Sequence, residues 1–429
     1  MRFLLAILLL TACSAQAEYV CQSCVEVVST ATPTVTPTST ATPAPTAQVI
    51  TFHEDTNAIF ASPGVGWQTT QVPITDRTRF QNIHNLPSTS EVFRLYAEEV
   101  NSAPGVFNWS LVDNARNRAL AAGQTLNFRF VMFDPYGGSW LRNHIPGRNT
   151  RCTTEGGGTY FAPDFDSPVT QQRHKELIDA FAARYGNDPT IEHVDAGSHG
   201  SYAEWHHYCQ VIAGTSTALP LPSQASRRLI MKHYNDALPT KTKVLILDDI
   251  VSRTEGKNYG FGWRADCWHG HHETSLYPGW LANPDMTQVW QNAPVLLEPC
   301  GNISSWGDIG VAVDQAIARR ASLINSKNYV DISAAQLPEI RRLLRKLGYR
   351  FVVRQARVDG GTTFTIENVG IAPNYSPITL KFAGESKTLD KIMPGTVVQR
   401  SFLATAGTLT AEMGSRPVRF ANVEAIAVQ

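Results

Sequence analysis

Residues 191–208 read IEHVDAGSHGSYAEWHHY. An apolar run, Ile191 to Ala196, opens into a turn rich in glycine and serine. It then delivers one carboxylate, Glu204, among Tyr202, Trp205, His206 and His207. A short apolar run that ends in a polar, chemically equipped loop is how a barrel strand meets its C-terminal loop. The pattern recurs downstream. KVLILD at 243–248 is apolar on both faces, as buried parallel strands are. APVLLEP at 293–299 ends on a second carboxylate, Glu298.

Working outward, FASPGVGW (60–67), EVFRLY (91–96) and TLNFRFVMF (125–133) read as three earlier strands. Between the second and third lies a helix with Ser110 as N-cap and Asp113 three residues on, stopped by Gly123. Residues 134–166, with Trp140 and three consecutive glycines, read as a long functional loop. Ser167-Pro168 opens a helix that runs to Tyr185. Past the opening stretch, the expected elements are a helix at 223–237, strand five at 243–248, strand six at 260–267 and a short helix at 284–291. Strand seven at 295–298, a helix at 308–323, strand eight at 328–332 and a helix at 338–347 follow. Strand and helix thus alternate about eight times, which predicts an α/β fold, a (β/α)8 TIM barrel over 49–348. No G-x-G-x-x-G follows the first strand, which argues against an open doubly wound sheet. From 349 to 429 short alternating segments such as TTFTIENVG and PITLKFAG predict a small all-β sandwich.

Lys+Arg and Asp+Glu are both 37, so no basic field gathers nucleic acid. Arg2 and the apolar Phe3 to Leu10 read as an export signal within residues 1–17. Leu10-Thr11-Ala12-Cys13 matches a bacterial lipobox, with Cys13 as the lipidated residue and membrane anchor. Ala15-Gln16-Ala17 is the competing cleavage site of a secreted form. Residues 18–48 hold Cys21 and Cys24 and then a Thr/Pro-rich linker. Six cysteines remain beside Cys13, enough for fifteen pairings. Cys152 and Cys209 follow strands three and four, and Cys267 and Cys300 follow strands six and seven. Neighbouring loops predict those two pairs as disulfides, which export permits.

Barrel chemistry sits at the C-terminal ends of the strands. Glu204 and Glu298 stand there on opposite sides, and glycoside hydrolysis needs two carboxylates. They are the candidate catalytic pair, with Tyr202 and Trp205 expected to raise the carboxyl pKa of Glu204 by desolvation. Asp195, Asp134, Asp248, Asp249 and Asp266 are reserve acids. Trp67, Trp140, Trp205, Trp263, Trp268 and Trp306 are candidate sugar platforms, half of them expected in the core. Arg94, Arg129 and Arg264 interrupt apolar strands and are expected to pair with carboxylates at the mouth or to hold an acidic sugar. His206 and Asp266 complete the candidate substrate contacts with Asp134. The histidines at 199, 206, 207, 269, 271 and 272 match no strong metal spacing. No metal or cofactor is expected, and a metal-dependent hydrolase is the weakest alternative.

SPGVGW, FRLY, the segment APGVFNWSLVDNARNRALAAG, GSHGSYAEWHH and the β-rich tail together resemble a bacterial family of unknown function, built as glycosidase-like barrels with a C-terminal β-domain. The barrel also resembles the retaining glycoside hydrolases of the clan that includes bacterial β-galactosidases. That resemblance implies Glu204 as acid/base, Glu298 as nucleophile and a carbohydrate substrate. The clan places Asn before its strand-four Glu; here the position is Ala203. A non-catalytic carbohydrate-binding lipoprotein is therefore the alternative reading.

Overall fold

The structure, a computed structural model, describes residues 46–60, 62–71, 75, 85–133, 139–154, 158–299, 301–325 and 332–429, with 139–141 as backbone only. Cys13, Cys21, Cys24, Asp134 and Cys300 lie outside these residues, as does the side chain of Trp140. Among the described residues, no helix is long and apolar enough to cross a membrane.

Eight strands close into a barrel: β1 (Gly66–Thr70), β2 (Ser88–Tyr96), β3 (Thr125–Val131), β4 (Ile191–Ser198), β5 (Thr242–Ile246), β6 (Gly262–Trp268), β7 (Val295–Pro299) and β8 (Leu323–Asn325). Each pairs in parallel with the next, and β8 with β1. Helices cover the outside, so strands such as β3 are buried along their whole length. Phe128 and Phe130 of β3 meet Phe181 of the helix Pro168–Tyr185 edge-on, at 5.3 and 4.9 Å between centroids. Burying one such ring contributes roughly 1.5–3 kcal/mol, so this contact fixes the helix on the wall.

Helix starts follow the capping residues. The Ser167 hydroxyl accepts from the Val169 amide, with Pro168 at the first position. Ser223 and Asp308 accept in the same way for the helices Gln224–Ala237 and Ile309–Ala318. Ser110 does not cap its helix. It is the first helical residue of Ser110–Ala121, and Asn108 Oδ1 takes its amide instead.

Two expectations change. Strand eight of the barrel is Leu323–Asn325; the expected position, 328–332, lies outside the described residues apart from Ile332. The preceding helix ends at Ala318, and Arg320, with φ of 59°, turns the chain early. The buried run from Ala321 to Asn325 then fits the wall between β7 and β1. The segment 134–166 is no plain loop either. It contains a helix, Ser139–His144, and two strands, Gly147–Cys152 and Thr159–Pro163. With Gln210–Ile212, from beyond β4, these strands form a small antiparallel sheet beside the mouth.

Residues beyond Gly348 form the sandwich. One sheet contains Phe351–Val358, Thr362–Asn368 and Val397–Phe402. The other contains Ile378–Phe382, Glu385–Leu389, Thr410–Met413 and Arg416–Val418. The first sheet takes its edge strand from the other end of the chain, because Gln48–Thr51 pairs antiparallel with Phe351–Val358. The sandwich docks under the barrel. Arg416 donates to the Thr89 carbonyl at the start of β2, and Tyr375 to the Trp290 carbonyl just before β7. Among the described residues, no hydrogen bond joins the sandwich to the opposite, C-terminal end.

Candidate active site

Arg129 of β3 and Asp195 of β4 are register partners on adjacent strands. Asp195 Oδ2 accepts from Arg129 Nε at 2.7 Å and from Arg264 Nε of β6 at 2.8 Å. The remaining arms of the two guanidiniums reach the predicted glutamates. Arg129 Nη1 donates to Glu204 Oε1 at 3.2 Å, and Nη2 to Glu298 Oε2 at 3.1 Å. Arg264 Nη1 lies 3.9 Å from Glu204 Oε1, 3.5 Å from Glu298 Oε2 and 3.5 Å from Asp266 Oδ1. Since one nitrogen is 3.9 and 3.5 Å from the two glutamate oxygens, those oxygens are at most about 7.4 Å apart. All these side chains are buried, where a charge without a partner costs several kcal/mol. Asn325 of β8, which the sequence reading missed, donates to Glu298 Oε2 at 3.0 Å and is held by Thr70 of β1.

The loop after β4 is strained. Ser198, Tyr202, Ala203, Trp205 and Cys209 all have positive φ, between 55° and 77°. Each such non-glycine residue costs of order 1–3 kcal/mol and needs the surroundings to hold it. Trp205 is the anchor. Its indole is buried and donates to the carbonyls of Ala196 and Gly197. Gly197 is required beneath it, since a Cβ there would lie 2.6 Å from that of Ala203. This packing buries Ala203 and turns Glu204 toward the mouth.

The electrostatics overturn one expectation. Burial pushes the Glu204 carboxyl up, but the His206 hydrogen bond and the guanidiniums of Arg264 and Arg129 outweigh it, and the pKa falls to about 2. Trp205 faces the core, so it does not give Glu204 an apolar pocket. His206 Nδ1 accepts from the Tyr208 amide at 3.2 Å, which places its proton on Nε2, 3.3 Å from Glu204 Oε2. Glu204, His206 and Asp266 bring one ligand atom each within 4.8 Å of one another. A metal ion at Nε2 would displace that proton and crowd Arg264, which already takes up both carboxylates.

The reserve acids separate. Asp195 is the shared anchor of the two arginines. Asp249 caps the helix Ile250–Glu255 and pairs with Arg227, so its role is structural. Asp248 and Asp266 line the mouth, where Arg264 acts on both. Arg94 departs from the expected carboxylate pairing and lies over the Tyr202 ring at 5.4 Å.

The predicted tryptophan platforms are mostly core. Trp67, Trp205, Trp263 and Trp268 are buried, and half-buried Trp306 packs edge-on against Trp268. The accessible aromatic wall is made of tyrosines instead. A cleft beside His206 is lined by Tyr96, Phe133, Tyr160, Tyr202 and Tyr208. The Cys152–Cys209 disulfide joins the small sheet to the strained loop at this cleft. Cys267 is also disulfide-bonded.

No protein-family profile matches the chain, and no curated protein matches it. Among solved structures it is similar to the catalytic domain of a beta-amylase from Paenibacillus polymyxa, at 11% identity and TM-score 0.44, covering 66% of this chain and 98% of that one. It is similar to endo-glycoceramidase II from Rhodococcus sp., at 12% identity and TM-score 0.44, covering 82% and 98%. A GH36 alpha-galactosidase from Geobacillus stearothermophilus matches at 8% identity and TM-score 0.39, covering 79% and 55%. Similarity of this order does not bear on the reaction.

Proposed function

We propose that this chain is an exported glycoside hydrolase, anchored through a lipid on Cys13, that cleaves an oligo- or polysaccharide with buried carboxylates at the barrel mouth. The observation that carries the reading is the approach of Glu204 and Glu298, from opposite sides of the barrel, to one guanidinium at the end where barrel chemistry occurs. Their upper separation of about 7.4 Å accommodates the roughly 5–5.5 Å of retaining enzymes and the lower part of the inverting range. Glu298 is the nucleophilic carboxylate, oriented by Asn325 and by the guanidiniums of Arg129 and Arg264. Glu204 is held ionised and stabilises positive charge developing at the anomeric carbon. The tyrosine cleft supplies faces on which sugar rings stack.

The test is turnover of a glycan panel by the folded protein, followed by Glu298→Gln. Loss of roughly 10²–10⁴-fold in rate, with the circular dichroism spectrum unchanged, supports the reading. Unchanged turnover removes Glu298 from the chemistry. A second reading, carbohydrate binding without cleavage, is favoured by one feature: both glutamates are clamped by arginines. It predicts glycan binding in calorimetry and no products.

A further inference from the structure

Four buried carboxylates, Asp195, Glu204, Asp266 and Glu298, meet at the mouth with the half-buried Asp248; their side chains are 4–13% exposed. Among the described residues, the guanidiniums of Arg129 and Arg264 reach the four. Asp195, Glu204, Asp266 and Glu298 each have an arginine nitrogen within 4 Å. Among the described residues, Asp248 has none. Its Oδ2 lies 3.4 Å from His272 Nδ1, and its Oδ1 is buried without a hydrogen-bond partner. Arg253 is close but donates to the backbone carbonyls of Leu247 and Asp248. Backbone geometry fixes Asp248 in place. It lies two residues past the end of β5, and the next residue, Asp249, caps a helix.

In a low-dielectric site, a carboxyl without a guanidinium nitrogen within reach takes the proton more readily than neighbours that have one. We propose that Asp248, and not Glu204, holds the exchangeable proton of the mouth and donates it to the leaving oxygen. The proton-holding part stands on the geometry alone; the donor part rests on the glycosidase reading. The groups facing Asp248 are His272 and Tyr277 from the segment after β6, Arg253 of the helix after β5, Arg264 of β6, and His206 and Glu204 of the loop after β4. Burial raises the Asp248 carboxyl above its usual range, against the opposing pull of His272, Arg264 and His206.

The chemistry balances without a cofactor. As the C1–O bond breaks, its electron pair leaves with the glycosidic oxygen, which takes the Asp248 proton, while a Glu298 oxygen bonds to C1. Water then attacks C1 and gives a proton back to Asp248 as Glu298 departs. One water is consumed and nothing is oxidised or reduced.

Difference infrared spectroscopy of the full chain, without substrate, tests the proton. A protonated-carboxyl band titrating above the usual aspartate range is expected in the wild type, retained in Glu204→Gln and absent from Asp248→Asn. No such band in the wild type, or its loss in Glu204→Gln with retention in Asp248→Asn, overturns the proposal. If Asp248→Asn does not fold, His272→Gln serves instead. Removing that partner must raise the midpoint of the band, and an unmoved midpoint overturns the assignment. Aryl glycosides test the donor role. Asp248→Asn should lose about 100-fold or more on poor leaving groups and little on good ones. Equal losses overturn the donor role. A wild type that shows the band but cleaves no glycoside keeps the proton assignment and sinks the glycosidase reading.

Discussion

Arg129 and Glu298 stand on strands β3 and β7, across the barrel from one another, yet Nη2 of the first donates to Oε2 of the second at 3.1 Å. The same side chain also serves Asp195 and Glu204. One guanidinium therefore ties three walls of the barrel together at the mouth.

Replacing Arg129 by Met should accordingly destabilise the fold by about 3–5 kcal/mol, because it leaves buried carboxylates short of a cation. Arg129→Lys should not restore it, since an ammonium does not reach three carboxylates with a planar fork. Urea unfolding of the three proteins checks this. Equal midpoints would mean that the network carries no net stability.

Acid should weaken the fold in two windows of the same sign. Burial depresses His207 to about 4 and burial with Arg129 depresses His193 to about 3, from 6.5. The unfolded chain binds those protons first, so stability falls as pH drops from 6.5 through these values. Glu204, at about 2 against 4.5, adds stability that is complete above 4.5 and lost as pH falls toward 2. These three groups lower the unfolding free energy from pH 7 to 3, while Glu91, raised to about 7, and the raised Asp248 and His206 act with the opposite sign, so the contributions are read from variants. His207→Gln should flatten the upper part of the curve and Glu204→Gln the lower. A difference between wild type and variant that does not change with pH would contradict the corresponding assignment.

Cys152 and Cys209 close a loop with a sequence separation of 57 residues and tie the small sheet to the loop bearing Glu204. Reduction, or the Cys152→Ser/Cys209→Ser double variant, should cost roughly 2–4 kcal/mol. Peptide mapping before and after reduction should show the 152–209 link. Free thiols at both positions would reject the bridge.

Tyr208 is 72% exposed on the cleft wall, and Tyr202 is 43% exposed. Alanine at either position should leave the melting temperature nearly unchanged and weaken oligosaccharide binding by about 1–1.5 kcal/mol, roughly tenfold. Calorimetry with a bound glycan checks it, and unchanged affinity would place the sugar elsewhere.

How much of this was readable depended on contrast within the sequence. Strand β3 stood out because TLNFRFV is apolar between a glycine stop and a polar segment, and the arginine inside it announced a buried partner. Strand β8 was hidden. It is three residues long and follows an apolar helix, so nothing in the periodicity marks the break at Arg319 and Arg320. Misplacing it hid Asn325, which the rule about strand ends would have found. The strand GRNTRC buries only Thr150 and Cys152 and carries no alternation to read. The charge state of Glu204 failed for a different reason. Its sequence neighbours are apolar, but its spatial neighbours, Arg129 and Arg264, arrive from 75 and 60 positions away.

The pairing of Gln48–Thr51 with Phe351–Val358 has a consequence for assembly. Some three hundred residues of barrel lie between two strands that must meet, so the first sheet of the sandwich cannot be completed until both ends of that long excursion are brought together. Such distant pairings form late and slowly. Residues 349–429 made alone would expose an unpaired strand edge, an open invitation to aggregation. The two halves of the molecule are therefore one folding unit, and trimming the chain to a supposed sandwich or barrel would damage both.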